Sequence, residues 1–129
     1  GDGRDMLRRV QAVCFSPLAL FNGWATSTKL WTHPEVEDEI RKAIGLRLRL
    51  LPYWYTAFAQ YHFAGTPVVR AMPLVAGFDA GAPRAPEARD QYMIGDALLV
   101  APIAPDAATR KVVLPLGKWF DFESGRLVG

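Results

Sequence analysis

Apolar residues in the first fourteen positions recur at helical spacing. Met6, Leu7, Val10, Val13 and Cys14 are separated by Arg8, Arg9 and Gln11, which predicts a short amphipathic helix over residues 5–14. A compact apolar run, Phe15-Ser16-Pro17-Leu18-Ala19-Leu20-Phe21, follows and stops at the turn dipeptide Asn22-Gly23. Its density suits a buried parallel strand, with Pro17 near the beginning because proline cannot donate to a ladder. Residues 25–30 are small and polar and read as a loop, and Trp31 precedes the next helical pattern.

That pattern runs over residues 34–64. Thr32 and Glu35 have capping-box spacing, Pro34 sits in the first turn, and Glu35, Glu37, Asp38 and Glu39 complement the positive end of the helix dipole. Val36, Ile40, Ile44, Leu48, Leu51, Tyr55 and Phe58 form one predicted buried stripe, widened by Leu50 and Trp54. Pro52 is expected to kink or divide the helix, because it removes a hydrogen bond and crowds the preceding turn. Gly65 is its natural stop. From residue 66 the period changes. Short strands are expected at 67–73, 91–96, 97–103, 111–115 and 117–122, with a surface loop at 76–90, a tight Gly95-Asp96 turn and a closing Ser124-Gly125 turn. Strands at this spacing suggest an all-β sandwich unit behind a helical one.

Composition narrows the function classes. Of the 129 residues, 50% are hydrophobic and 22% are charged, which is globular rather than disordered. A net charge of +2 without a Lys/Arg block argues for neither nucleic acid nor a membrane surface as partner. No stretch approaches the roughly 18–20 apolar residues of a membrane span, and residues 1–5 are polar with no signal-peptide core behind them. The single cysteine, Cys14, excludes an internal disulfide, leaves the compartment open, and reads as a buried inert thiol. The start without Met and the abrupt stop at Leu127-Val128-Gly129 lead us to expect a segment of a larger protein.

Residue types alone assemble no catalytic constellation. His33 and His62 stand 29 positions apart without metal-ligand spacing, so no metal or cofactor is expected. The acids at 35–39 read as dipole partners, and the aspartates at 79, 90, 96, 106 and 121 as turn residues. Indole faces stack on sugar rings, which makes the four tryptophans candidates for carbohydrate binding. Trp54 and Trp119 read as core. Trp24 and Trp31 flank the loop after the apolar run, and if that run is a β/α-barrel strand, such a loop lies on the catalytic face.

Five segments, in order, resemble glycoside hydrolase family 31. Arg8-Arg9-Val10-Gln11-Ala12-Val13-Cys14-Phe15-Ser16-Pro17 is similar to the segment Arg-Trp-x-Gln-x-x-x-Phe-x-Pro that enters the family's last barrel strand. Leu46-Arg47-Leu48-Arg49-Leu50-Leu51-Pro52-Tyr53-Trp54-Tyr55 resembles its helix Leu-Arg-x-x-Leu-Leu-Pro-Tyr-x-Tyr. Gly65-Thr66-Pro67-Val68-Val69-Arg70 is similar to Gly-x-Pro-x-x-Arg. Residues 91–102 resemble the hairpin Gln-Phe-x-x-Gly-x-x-Leu-Leu-Val-Ala-Pro, and Leu114-Pro115-Leu116-Gly117-Lys118-Trp119-Phe120-Asp121 the strand Leu-Pro-x-Gly-x-Trp-x-Asp. Each match is weak alone; five in sequence are specific.

The resemblance implies the end of a (β/α)8 barrel over residues 1–65, followed over 66–129 by the first strands of a proximal C-terminal β-sandwich. It implies a retaining α-glycosidase, an α-glucosidase or α-xylosidase with a carbohydrate substrate. Retaining chemistry uses two carboxyl groups roughly 5–5.5 Å apart, one attacking the anomeric carbon and one protonating the leaving oxygen. Both family aspartates align upstream of residue 1, so the segment by itself is expected to be inactive. Asp2 follows a glycine as the family's acid/base does, but stands too close to the Arg8 motif to be that residue. After Phe-x-Pro the family commonly has Arg-x-His, whose histidine binds substrate hydroxyls. Here Leu20-Phe21-Asn22 stands instead, which makes Asn22 a candidate sugar contact beside Trp24 and Trp31, with an Asn-Gly turn as the competing reading. Arg9 replaces the tryptophan of the Arg-Trp pair. Tyr53, Trp54 and Tyr55 are expected to pack at the junction between barrel and sandwich. Two alternatives stay open: a carbohydrate-binding or structural relative without the acids, and an autonomous helix-plus-sheet interaction domain. Oligomeric state is not legible.

Overall fold

In the computed structural model, which describes residues 2–22, 28–78 and 88–128, three helices precede two small antiparallel sheets. The first helix, α1, spans Gly3–Cys14 and begins under a side-chain cap, in which the Asp2 carboxylate accepts from the Asp5 backbone N–H at 2.8 Å. Asp2 is therefore a capping residue. Met6, Val10 and Cys14 recur one turn apart and are buried. They pack with Ile40 of α2 (Glu37–Arg49) into one core, flanked by Leu7, Leu30, Val36 and Ile44.

The predicted helix start is partly corrected. A single 3-10 turn, Pro34–Val36, precedes α2, with His33 at its cap position and no side-chain cap. Thr32 does not reach forward to the helix; its hydroxyl accepts from the Lys29 N–H at 2.6 Å and closes the turn before it. A cap needs the hydroxyl to face free N–H groups, and here the Lys29–Thr32 turn claims it first.

Pro52 divides the helix as expected. The chain breaks at Leu50 and resumes as α3 (Leu51–Ala64), placing the proline in the first turn of the second piece, where its missing N–H costs nothing. Gly65 ends α3 in the left-handed conformation at φ 72°, its N–H bonded to the Tyr61 carbonyl. The continuous stripe does not survive the break. Ile40 is buried, but Leu48, Leu51, Tyr55 and Phe58 are exposed, Tyr55 at 80%. Leu48 faces out even before the break, and beyond it Trp54 and Ala57 face inward instead. Of the three aromatic residues expected at the junction, Tyr53 and Trp54 pack there and Tyr55 does not.

Trp54 and Ala57 form a second core with Val68, Ile94 and Val100 of the β region. Strands β1 (Val69–Ala71), β2 (Tyr92–Ile94) and β3 (Leu98–Val100) make an antiparallel sheet in that order, with Val69 opposite Ile94 and Ile94 opposite Leu98. The turn 95–97 joins β2 to β3. The Tyr53 hydroxyl donates to the Ile94 carbonyl at 2.6 Å and accepts from the Ala97 N–H at 3.0 Å, so α3 grips both ends of that turn. Arg70 holds it from the other side through the Gly95 carbonyl and the Asp96 carboxylate. Trp119–Phe120 (β4) and Leu127–Val128 (β5) form a second, two-stranded sheet across a turn in which Asp121 accepts from Ser124. That hydroxyl and N–H hold the Asp121 carboxyl below its ordinary range.

Two predicted strands are absent among the described residues. Residues 15–21 are irregular, because a strand exists only in a ladder and no described strand pairs with them. Residues 111–115 are irregular for a different reason. Buried Gln91 donates to the Val113 carbonyl at 2.6 Å and accepts from its N–H at 3.0 Å, occupying both groups that a neighbouring strand would use. The pair β4–β5 also shows that the chain beyond Ser124-Gly125 returns as a strand, which the pattern did not signal. No described helix is long and apolar enough to cross a membrane.

Candidate functional site

The segment that leads to the candidate sugar contacts leaves α1 through a turn at residues 14–17. The last carbonyls of a helix lack partners within it, and α1 has no basic residue in its last turn. Arg47 of α2 supplies the charge. One of its terminal nitrogens donates to the Cys14 carbonyl at 2.8 Å and to the Ser16 carbonyl at 2.6 Å, and the other to the Pro17 carbonyl at 3.2 Å. The guanidinium also lies 5.4 Å from the centre of the Trp54 ring, within cation–π range. The remaining carbonyl of the turn, that of Phe15, accepts from the Tyr92 hydroxyl of β2 at 3.0 Å. The Phe15 side chain packs against both cores. Four consecutive carbonyls thus accept from side chains of α2 and β2.

Beyond Pro17 the chain runs outward. Leu18, Leu20 and Phe21 are exposed, and so is Asn22. Trp24 lies outside the described residues. Trp31 is 66% exposed among the described residues. Trp54 is buried and Trp119 half-buried, with its ring N–H bonded to the Pro115 carbonyl at 2.8 Å, as their core reading requires. His62 is exposed on α3 with its ring edge against Phe63, and His33 stands beside Glu35. A separate open groove of about 1590 Å3 runs between α1, α2 and β3, with Arg8, Leu46, Leu50 and Val100 among its walls; neither Asn22 nor Trp31 lines it.

Cys14 fits its reading as an inert thiol. It is buried and its ionisation is pushed up by that burial, against a smaller opposing pull from Arg47. With the folded pKa raised, the thiolate population at pH 8 falls below that of an ordinary cysteine, and the thiol form favours the fold until pH rises through that value. Labelling by a thiol reagent at pH 8 is expected to be on the order of tenfold or more slower in the native protein than in urea. Equal rates would contradict the buried placement.

Arg47 and Tyr92 are the residues that periodicity missed. Arg47 carried a signal, being a cation inside the apolar run 46–51, and Tyr92 carried another, since it stands where the hairpin pattern quoted above has phenylalanine.

Comparison with known proteins gives the family. The model of the glycosyl hydrolase family 31 TIM-barrel domain matches residues 3–57, and that of the family 31 C-terminal domain matches residues 65–129. Human neutral alpha-glucosidase C is 37% identical over 127 residues, covering 92% of this chain and 13% of that protein. Human neutral alpha-glucosidase AB is 39% identical over 103 residues, 73% of this chain and 10% of that protein. An alpha-glucosidase of Saccharolobus solfataricus is 33% identical over 92 residues, 71% of this chain and 13% of that protein. The solved structure of the cycloalternan-degrading enzyme from Trueperella pyogenes superposes with a TM-score of 0.73 at 28% identity, covering 98% of this chain and 20% of that one. The chain therefore spans a small part of the length of its relatives. It belongs to glycosyl hydrolase family 31, as the end of the family's TIM barrel followed by the start of its C-terminal β-sandwich.

Proposed function

We propose that this chain is the C-terminal part of a retaining α-glycosidase that hydrolyses terminal α-linked glucosyl or xylosyl residues, with its catalytic aspartates upstream of residue 1. Family membership and the alpha-glucosidase names of its relatives support the activity. The barrel portion closes at Gly65 and the sandwich begins at Thr66; the left-handed stop of α3 and the change of period there support that boundary. Asn22, Trp24 and Trp31 line the sugar subsite. What supports this reading is that Asn22, five residues beyond the anchored turn at 14–17, and Trp31 are both on the surface of the described residues. Asn22 brings a donor and an acceptor to a hydroxyl, as a histidine would, and Trp31 brings a stacking face.

The test uses the whole polypeptide that carries this segment, assayed on aryl α-glucoside and aryl α-xyloside. Asn22→Ala and Trp31→Ala are each expected to raise KM by roughly 3- to 10-fold, or to shift the ratio between the two substrates by as much, at little change in kcat. Unchanged KM and unchanged sugar preference in both variants would remove them from the subsite. An upstream sequence lacking both aspartates would instead make the protein a non-catalytic relative.

A further inference from the structure

The second core draws its members from both sides of Gly65. Trp54 and Ala57 come from α3, and Val68, Ile94 and Val100 from the β region. Ile94 pairs with Leu98 and Tyr92 with Val100, so the four share one face of the β1–β3 sheet. All four belong to this core or pack against it, which commits that face of the sheet to α3. The connection between them has little slack. Val68, four residues past the end of α3 at Ala64, is buried, and its carbonyl accepts from the Gly95 N–H at 2.8 Å. A Cβ on Gly95 would stand 3.5 Å from that of Ala57, so the β2–β3 turn lies directly against the helix. Two phenolic hydroxyls cross the same boundary: Tyr53 holds the Ile94 carbonyl and the Ala97 N–H, and Tyr92 donates to the Phe15 carbonyl.

We propose that α3 and the β1–β3 sheet form one cooperative unit, so that the sandwich portion opens only together with the last barrel helix. The boundary at Gly65 then divides two architectures but not two units of stability. Interfaces between domains of one chain are generally more polar than a core and permit relative motion. This one is apolar at its centre and hydrogen-bonded at its edge. Opening the sheet alone would expose Ile94 and Val100 on one side and Trp54 and Ala57 on the other. It would also take the Tyr53 hydroxyl from the Ile94 carbonyl and the Ala97 N–H, two backbone groups it satisfies at once. Burial that is mutual in this way is lost together. These contacts lie within residues 53–100, so chain packed around them adds to the unit without replacing them.

Native-state hydrogen exchange of the whole polypeptide tests the proposal, read by mass spectrometry on peptides from residues 51–64 and 92–100. The best-protected amides of the two peptides are expected to open with equilibrium constants within about threefold of each other and with one denaturant dependence. Tyr53→Phe keeps the ring and removes only the hydroxyl. It should speed exchange in both peptides by the same factor, roughly 5- to 30-fold. Val100→Ala, made on the sandwich side, should speed exchange in residues 51–64 as much as in 92–100, by about tenfold. The cross-boundary response is the decisive one, because a contact that served the sheet alone would leave the helix unmoved. Acceleration confined to 92–100 in either variant, with 51–64 unchanged, would overturn the proposal. So would a sheet that opens more than tenfold more readily than α3 in the unmutated protein. If Val100→Ala fails to fold, Tyr53→Phe decides the matter alone.

Discussion

Replacing Arg47 with alanine is expected to destabilise the protein by about 3–4 kcal/mol. The guanidinium donates three hydrogen bonds to the carbonyls of Cys14, Ser16 and Pro17 and lies over Trp54. A hydrogen bond from a charged donor contributes about 1.5–3 kcal/mol, and a partly desolvated cation–π contact about 1 kcal/mol. The three bonds share one side chain, and the Pro17 bond at 3.2 Å is the longest, so they are not summed at full value. The truncation also leaves the Cys14 carbonyl at the end of α1 without its charged partner. Against a total stability of about 5–15 kcal/mol the loss is large. Lysine should restore less than half of it, because an ammonium cannot fork across carbonyls on successive residues. Denaturant unfolding gives the measurement: the midpoint should fall with the slope unchanged. A loss below about 1 kcal/mol, or full restoration by lysine, would show that the turn at 14–17 holds itself.

Gly95→Ala should cost about 3 kcal/mol through an unrelated mechanism. Gly95 has φ 54°, where an L side chain costs about 1–2 kcal/mol. A Cβ there would also lie 2.6 Å from the Tyr53 hydroxyl and 3.1 Å from the ring carbon that bears it. The ring cannot swing away cheaply, since its hydroxyl bonds both the Ile94 carbonyl and the Ala97 N–H. Relieving the overlap therefore breaks the grip of α3 on the β2–β3 turn. Tyr53→Phe separates the two contributions, because it removes the nearest atom but leaves the backbone strain. The double variant should be less destabilised than the sum of the singles by about 1 kcal/mol. Strict additivity would mean that the overlap is absorbed elsewhere and that only the backbone term is real.

Both effects arise from contacts between segments distant in sequence, and that is where the pattern of residues stopped being informative. Helix α1 could be read because Met6, Val10 and Cys14 keep one face over a single unbroken element. The stripe through residues 36–58 could not be followed past Ile44. Periodicity marks an apolar face but not which neighbour covers it: the β region covers Trp54 and Ala57, while Leu48 before the break and Tyr55 after it face solvent. The apolar run 15–21 reads as a strand by composition, yet strandedness is a property of pairs, and the carbonyls of Phe15, Ser16 and Pro17 are taken by side chains instead. Gln91 shows the same limit. Nothing local marks it as a buried stand-in for a strand partner to Val113.

The sequence by itself determined the helices, the break at Pro52, the stop at Gly65 and the β2–β3 hairpin with its Gly95 turn. It also carried the five motifs whose order identifies family 31. These are written in local chemistry: proline without an N–H, glycine at positive φ, apolar residues at a fixed period. The tertiary structure alone decided that Phe15 joins the two cores and that the turn after α1 is held by Arg47 and Tyr92. It also decided that Tyr55 faces solvent and that Gln91 pairs with the backbone of Val113. Hydrogen bonds across 33 and 77 residues of chain leave no local periodicity, because the partners are neighbours in space and not in sequence.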